Sequence, residues 1–361
     1  MMKKKRSLGV KMILETDLND GRGHRTKKKL KVKNRIPLSI KLSKGVRKKI
    51  KRLMKYMTVF TLTAAAVMTV GCAPMGYVEP EEVATVSAIG FDSSEGGVRV
   101  SVQTAEKGGE SVKVISGEGE SVSFALSHLS GADTRRLELS HCAVIVLGNG
   151  VTRETVGEIF DFCARNRDIT DAVLFVAAHD ANELLSLDSA AGFDMVSAMR
   201  PSAEGAGMFS KNRFYEIKNA EDTGVMALPY FFVSGDEYSL HGLKLYTELM
   251  ERAILDRSES ALYLMMRGIF TSGRVDHLSE EKATTARVKS ARTRYAKDGD
   301  LLTVSCRLTV DGDMTAAEIT ALAESCRLGA EELYGQLTSR YGDVFVFGEG
   351  KRCEFIFEVD Q

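Results

Sequence analysis

The residue whose type and setting best suit it to chemistry is a thiol, Cys72. It ends the stretch Val70-Gly71-Cys72, directly behind Met57–Val70, a run of 14 residues without a charge. A basic flank, a short apolar run and a small residue at a cleavage point are the parts of a secretory signal. A thiol at that point is open to lipid attachment. From Cys72 onward little else is arranged for chemistry. This part has no P-loop, no G-x-S-x-G, no H-E-x-x-H and no C-x-x-C, and its five histidines at 128, 141, 179, 241 and 277 never stand four residues apart. His141 and Cys142 are adjacent, but neighbours on a strand point to opposite faces, so they make no nucleophile–base pair. Cys142 is expected in the core. Gly117-Glu118-Gly119 lacks the third glycine and the following helix of a dinucleotide fingerprint, and is expected to be a turn. No metal, cofactor or enzymatic activity is expected.

Cys142, Cys163, Cys306, Cys326 and Cys353 make an odd set once Cys72 is set aside, so at least one thiol stays unpaired. Their apolar settings favour buried free thiols. A Cys306–Cys326 or Cys326–Cys353 bridge is the alternative.

Charge divides the chain. Lys plus Arg and Asp plus Glu both total 49, yet residues 1–55 carry 21 basic side chains against three acids, a net of +18. The remaining 306 residues carry a net of −18. At 1.5 Å per residue, 14 helical residues reach roughly 21 Å, short of the ~30 Å hydrocarbon core. A cleaved signal is therefore a better reading than a permanent span. Val70-Gly71-Cys72 resembles the end of a bacterial lipobox, where cleavage precedes a diacylglyceryl-cysteine. It departs from that pattern at Thr69, where an aliphatic residue is usual. Residues 1–53 read as a basic disordered extension or a mis-assigned start, with Met54 opening a conventional signal at 54–71. Lys27-Lys28-Lys29 and Arg47-Lys48-Lys49 could serve an anionic surface, but no nucleic-acid partner is expected.

The elements behind Cys72 alternate. Val83–Ile89 and Val98–Gln103 read as strands around a turn at Asp92–Gly97, and Ser121–Ser130 as a helix ending at Gly131. Cys142–Leu147 and Ala172–Ala178 are unbroken apolar runs, as in strands buried on both faces. Thr152 can cap a helix to about Ala164, with Val156, Ile159, Phe160 and Cys163 on one face. Ala181–Leu187 reads as a short helix. Val225–Val233 and Ser239–Leu245 read as strands around Ser234-Gly235-Asp236, followed by helical patterns at Glu248–Leu255 and Glu259–Arg267. Thr285–Tyr295 and Leu301–Val310 flank Lys297-Asp-Gly-Asp300, a hairpin signal. Thr315–Tyr341 reads as a long amphipathic helix and Phe355–Val359 as a closing strand.

Several blocks together resemble the Ger(x)C family, the lipoprotein C subunits of GerA-type spore germinant receptors. They are Val83-Ala-Thr-Val-Ser-Ala-Ile-Gly-Phe-Asp92 shortly after Cys72, Arg135-Arg136-Leu-Glu-Leu-Ser-His141 with Ala143–Gly148, and Phe160-Asp-Phe-Cys-Ala-Arg165-Asn-Arg167-Asp168 before Val173–Ala177. Leu240-His-Gly-Leu-Lys-Leu-Tyr246 and Tyr341-Gly-Asp-Val-Phe-Val-Phe-Gly348 follow in order. Ala73-Pro74 stands where the family usually has an aromatic residue, and the segments around the middle region and after Gly348 are short.

The resemblance implies a three-domain α+β protein with mixed sheets flanked by helices. Its domains would be 72–200, 201–280 and 281–361, the last a β-hairpin plus a long helix plus a strand. It further implies lipidation at Cys72 and attachment to a membrane through that lipid. The site would be the extracytoplasmic face, on the spore inner membrane in a spore former, beside integral-membrane A-type and B-type subunits. Ser140-His141 and Arg165–Asp168 lie at element ends where partners could touch, and no role is assigned to them. The rival reading is a solute-binding lipoprotein of a transporter, which should show a cleft between two similar lobes.

Overall fold

The computed structural model describes residues 44–70, 82–105, 112–132, 135–187, 192–199, 207, 212–218, 224–279, 282–312, 314–348 and 350–361. Cys72 and the basic block before residue 44 lie outside the described residues. The chain divides into two units, Met1–Met75 and Gly76–Gln361.

The described part of the first unit is helix α1 (Lys44–Val70), which starts ten residues before Met54 and runs through the whole apolar stretch. Its large side chains stand in solvent, among them Leu53, Met57 and Phe60. Thr58 and Thr61 return their hydroxyls to the carbonyls of Met54 and Met57 at 2.6 and 2.9 Å, and Thr63 does the same to Val59. The threonines thus hide their polarity within the helix. Among the described residues no helix is long and apolar enough to cross a membrane.

The second unit is α+β. Its elements begin β1 (Val83–Ser94), β2 (Gly97–Ala105), β3 (Val112–Gly119), α2 (Val122–Ala132), β4 (Arg136–Glu138), β5 (Val144–Leu147), α3 (Arg153–Arg165) and β6 (Leu174–Ala178). Next come α4 (Ala181–Leu185), α5 (Gly192–Met199), α6 (Phe214–Ile217), β7 (Val225–Ser234), β8 (Glu237–Thr247) and β9 (Met250–Leu255). Among the described residues these strands form one nine-stranded sheet in the order β3-β2-β1-β5-β6-β7-β8-β9, with β4 beside the start of β1. The central strands β1, β5, β6 and β7 are parallel, and antiparallel hairpins extend the sheet at both sides. The expected boundary at 200/201 falls between β6 and β7, which pair at Ala177↔Tyr230, so the sheet runs on across it.

Period-two alternation shares each buried strand between two layers. Ile145 and Leu147 pack with Val156, Ile159 and Phe160 of α3 and with Ala125 and Leu129 of α2. Val144 and Val146 turn to Leu184 and Leu185 of α4 and Met195 of α5. That is why Val144–Leu147 reads as an unbroken apolar run: it is covered on both faces.

The chain closes with α7 (Arg257–Met266), β10 (Gly273–Ser279), β11 (Lys282–Asp298), β12 (Leu301–Asp311), α8 (Ala316–Tyr341) and β13 (Arg352–Asp360). A four-stranded sheet runs β10-β11-β12-β13, with β12 and β13 parallel across the α8 crossover. Strand β12 alternates strictly, Leu302, Val304, Cys306, Leu308 and Val310 facing Leu322, Cys326, Leu333 and Leu337 of α8. Thr315 caps α8 in a capping box with Glu318. The expected hairpin, long helix and strand are all present, and β10 adds an edge. Leu243 and Leu245 of β8 join this second core while Tyr246 faces the first, so β8 separates the two.

Three expectations fail. Glu248–Leu255 is not a helix: Glu248 and Leu249 take positive φ (50° and 62°) in a two-residue turn, and Met250–Leu255 is strand β9. The usual Asn-Gly signal for such a turn is missing, which hid the hairpin. Gly117-Glu118-Gly119 is not a turn but the end of β3. A Cβ on Gly117 or Gly119 would lie 2.6–2.7 Å from the backbone of Ala125, so the glycines let α2 cross the strand closely. Helix α2 also continues through Gly131 to Ala132.

Candidate functional site

The carboxyl ends of β1, β5 and β6 lie side by side, the usual place for ligands in parallel sheets. A chain of polar side chains occupies it here. Asp92, near the end of β1, is buried and accepts from the backbone N–H groups of Ala181 (2.7 Å) and Asn182 (2.9 Å). Burial raises its carboxyl above the usual range, against the lowering effect of those two donors. A Cβ on Gly148 would lie 1.9 Å from the Asp92 Oδ1 atom, so the loop after β5 needs glycine there.

Next in that loop, the Asn149 amide nitrogen meets His179 Nδ1 at 2.6 Å, and its oxygen accepts from Lys244 Nζ. The Lys244 side chain is fully buried, pairs with Glu251 at 2.8 Å and lies 5.4 Å from the Tyr230 ring centre. Desolvation lowers the Lys244 pKa, and the Glu251 carboxylate opposes that fall. His179–Asn149–Lys244–Glu251 therefore ties the β8–β9 hairpin to the ends of the parallel strands. The Lys244 ammonium is directed at Asn149, Glu251 and the Tyr230 ring, so it holds structure rather than standing as a free nucleophile. Lys244 carries no motif of its own in the sequence and stands there only inside Leu240–Tyr246. The available signal was Leu-Lys-Leu in a strand, which places the lysine on a face that Tyr246 shares.

A second feature is an open groove of about 670 Å³ at the N-terminus of α2 and the C-terminal part of α3. Arg165, Asn166, Arg167 and Asp168 line it together with Glu158 and Phe162. Glu158 accepts from the N–H of Val122 at 2.8 Å, and Arg165 pairs with Asp161 at 2.9 Å. The sequence marked Arg165–Asp168 from its place at a helix end. Ser140 and His141 sit exposed in the turn before β5 and do not line this groove.

Cys142 and Cys163 are free and buried, Cys306 and Cys326 likewise, and Cys353 is free and half-buried. Burial pushes the Cys142 and Cys326 thiols up to about 12 and Cys306 to about 11. Such thiols stay protonated and inert. Neither candidate disulfide is formed. Among the described residues no cluster of His, Cys, Asp and Glu could hold a metal ion.

Residues 76–231 match the family model described as the spore germination protein N-terminal domain. That stretch runs from before β1 into β7 and contains the groove and, of the polar chain, Asp92, Asn149 and His179, while Lys244 and Glu251 lie beyond it. No curated protein matches the chain. Among solved structures, the crystal structure of the GerBC protein aligns with 75% of this chain and 96% of its own, at 10% identity and a TM-score of 0.42. The part of this chain that builds the parallel core is thus similar to the spore germination protein N-terminal domain.

Proposed function

We propose that the chain is a lipid-anchored, non-enzymatic subunit of a nutrient-germinant receptor. It is held by Cys72 at the extracytoplasmic face of a membrane, in a spore former the spore inner membrane. There it works beside integral-membrane A-type and B-type subunits. The observation that carries this reading is the match of residues 76–231 to the spore germination N-terminal domain. Two acyl chains would hold the chain firmly where one would bind only marginally. Tethering would also raise its effective concentration beside membrane partners.

Two structural facts support the reading. Thr58, Thr61 and Thr63 of the apolar stretch satisfy their hydroxyls within α1, which suits a segment that must enter a bilayer during export. The two sheets are unlike in size and strand order, so the fold does not offer the paired similar lobes of a solute-binding lipoprotein. The groove beside Arg165–Asp168 presents both signs of charge and suits a protein partner.

The test is the intact mass of the protein extracted from membranes. A mature chain starting at Cys72 with a diacylglyceryl adduct is expected, and a Cys72→Ala variant should lose both processing and membrane retention. A membrane-extracted chain that still contains Lys27–Lys29 and carries no lipid would overturn the anchor. Spores lacking the gene should fail on at least one nutrient. Normal germination on every nutrient would overturn the receptor role.

A further inference from the structure

The four-stranded sheet is covered by α8 on one face, and among the described residues its other face is open. On that open face the register sets like charges opposite each other. Arg292 of β11 pairs with Arg307 of β12, and Arg274 of β10 pairs with Arg287 of β11. Like charges directly opposite on a sheet destabilise it. Two of these cations, Arg307 and Arg287, are neutralised. Arg307 donates to Glu358 at 2.6 and 2.8 Å and lies 3.7 Å from Asp360, while Arg287 and Lys289 pair with Asp311. Arg292 and Arg294 are exposed and have no acidic partner among the described residues. Both border a concavity of about 450 Å³, whose lining also includes Ser305, Arg307 and Glu358. Two uncompensated guanidinium groups thus converge on one hollow, in a chain whose last 306 residues are net −18.

We propose that this hollow binds a phosphate group. Each guanidinium offers a rigid fork of donors that matches phosphate oxygens in pairs. Two unneutralised forks match a dianion in charge. Arg292 and Arg294 would take the oxygens, with the Ser305 hydroxyl as a further donor. Arg307 would stay with Glu358, the one carboxylate in the lining. The bound anion would relieve the Arg292–Arg307 repulsion. The phosphate is either free or the headgroup of a phospholipid.

The test uses the full chain in detergent, with inorganic phosphate exchanged for chloride at constant ionic strength. Phosphate is expected to raise the melting temperature saturably. Replacing both residues (R292Q with R294Q) should weaken the apparent affinity by at least about tenfold, because charge-assisted hydrogen bonds are lost. R287Q, which removes a cation already paired with Asp311, should leave it unchanged. Equal shifts in the wild type and the double variant would mean an adventitious ion only and would overturn the site. In phosphate-free buffer the double variant should melt no lower than the wild type. A drop of several degrees would make the arginines structural and also overturn the site. Sedimentation with phosphatidylglycerol–phosphatidylcholine vesicles separates the sources. Weaker binding by the double variant identifies the headgroup, and equal binding alongside lost phosphate response identifies free phosphate.

Discussion

The two sheets of this protein solve the same problem in opposite ways. The centre of the nine-stranded sheet is covered on both faces, so its polar groups had to be brought inside and partnered: Asp92 with two backbone amides, Lys244 with Asn149 and Glu251. The four-stranded sheet is covered on one face only. The core under its inner face is apolar and aromatic, with Tyr334 of α8 against Phe355 of β13 and against Phe345 and Phe347 of the loop between them, and its charges stay in water. Burial on two faces makes a polar group a structural component. Burial on one leaves the opposite face free to bind.

The largest test of that contrast is a core deletion in each sheet. Phe175 lies between layers, with ring centres of Phe160 and Phe214 at 5.6 and 5.8 Å. Phe175→Ala should cost about 3–5 kcal/mol in urea unfolding, the range for buried phenylalanine. Phe357 faces α8 from edge strand β13 and keeps 9% of its surface exposed. An edge with an open side can collapse around the loss, so Phe357→Ala should fall at or below the lower end of that range. Equal costs would break the contrast.

The next effect isolates the buried polar chain. Asn149→Ala removes an acceptor from a lysine with no exposed surface, and should cost about 1–3 kcal/mol. Lys244→Met removes the charge while keeping the length of the side chain. Exchanging a buried ion for a well-packed apolar group is often neutral or stabilising, so this variant should be the more stable of the two. If Lys244→Met is the worse one, the lysine does more than fill its place.

Much of this was legible in the sequence, and the failures are instructive. Val144–Leu147 and the alternation of Leu302 to Val310 announced themselves, because burial on two faces or one sets a period directly. Thr152 and Thr315 marked helix starts because each accepts from a backbone amide three residues on. Strand β9 was missed because its turn is set by positive φ at Glu248 and Leu249, which local sequence does not specify. Asp92, Asn149, His179 and Lys244 were missed as a group because their meeting depends on sheet order, not on spacing along the chain. The Arg292–Arg307 pairing depends on register, which only the folded hairpin reveals.

Acid separates the sheets by sign. Asp92 is raised by burial, so its contribution is fully present below the unfolded carboxylate value and is lost as pH rises through its folded value. Asp311 is lowered by its bond to Lys289, and Glu324 by its bond to Arg327. Their contributions are present above the unfolded value and are lost as pH falls through the folded one. Hydrogen exchange followed from pH 6 down to pH 3 should therefore loosen β11, β12 and α8 relative to β1. Asp92→Asn should abolish the opposite trend in β1. Parallel loss of protection in both regions would show that these local charges do not govern acid stability.

The smallest effect is at the thiols. Free thiols titrate near 8.5 in an unfolded chain, whereas burial holds Cys306 near 11 and Cys142 and Cys326 near 12. These folded values are raised, so the stability the thiols contribute is complete below about pH 8.5. It declines as pH climbs toward 11 and 12. At neutral pH the same burial should make them slow to alkylate. Cys353 is the exception: it sits half-exposed on edge strand β13, so one thiol of the described five should react early with iodoacetamide. Four should then wait for unfolding. If Cys142 or Cys163 reacted as early as Cys353, the cover over the nine-stranded sheet would open far more readily than its two layers of helices imply, and the contrast between the sheets would fail where it is sharpest.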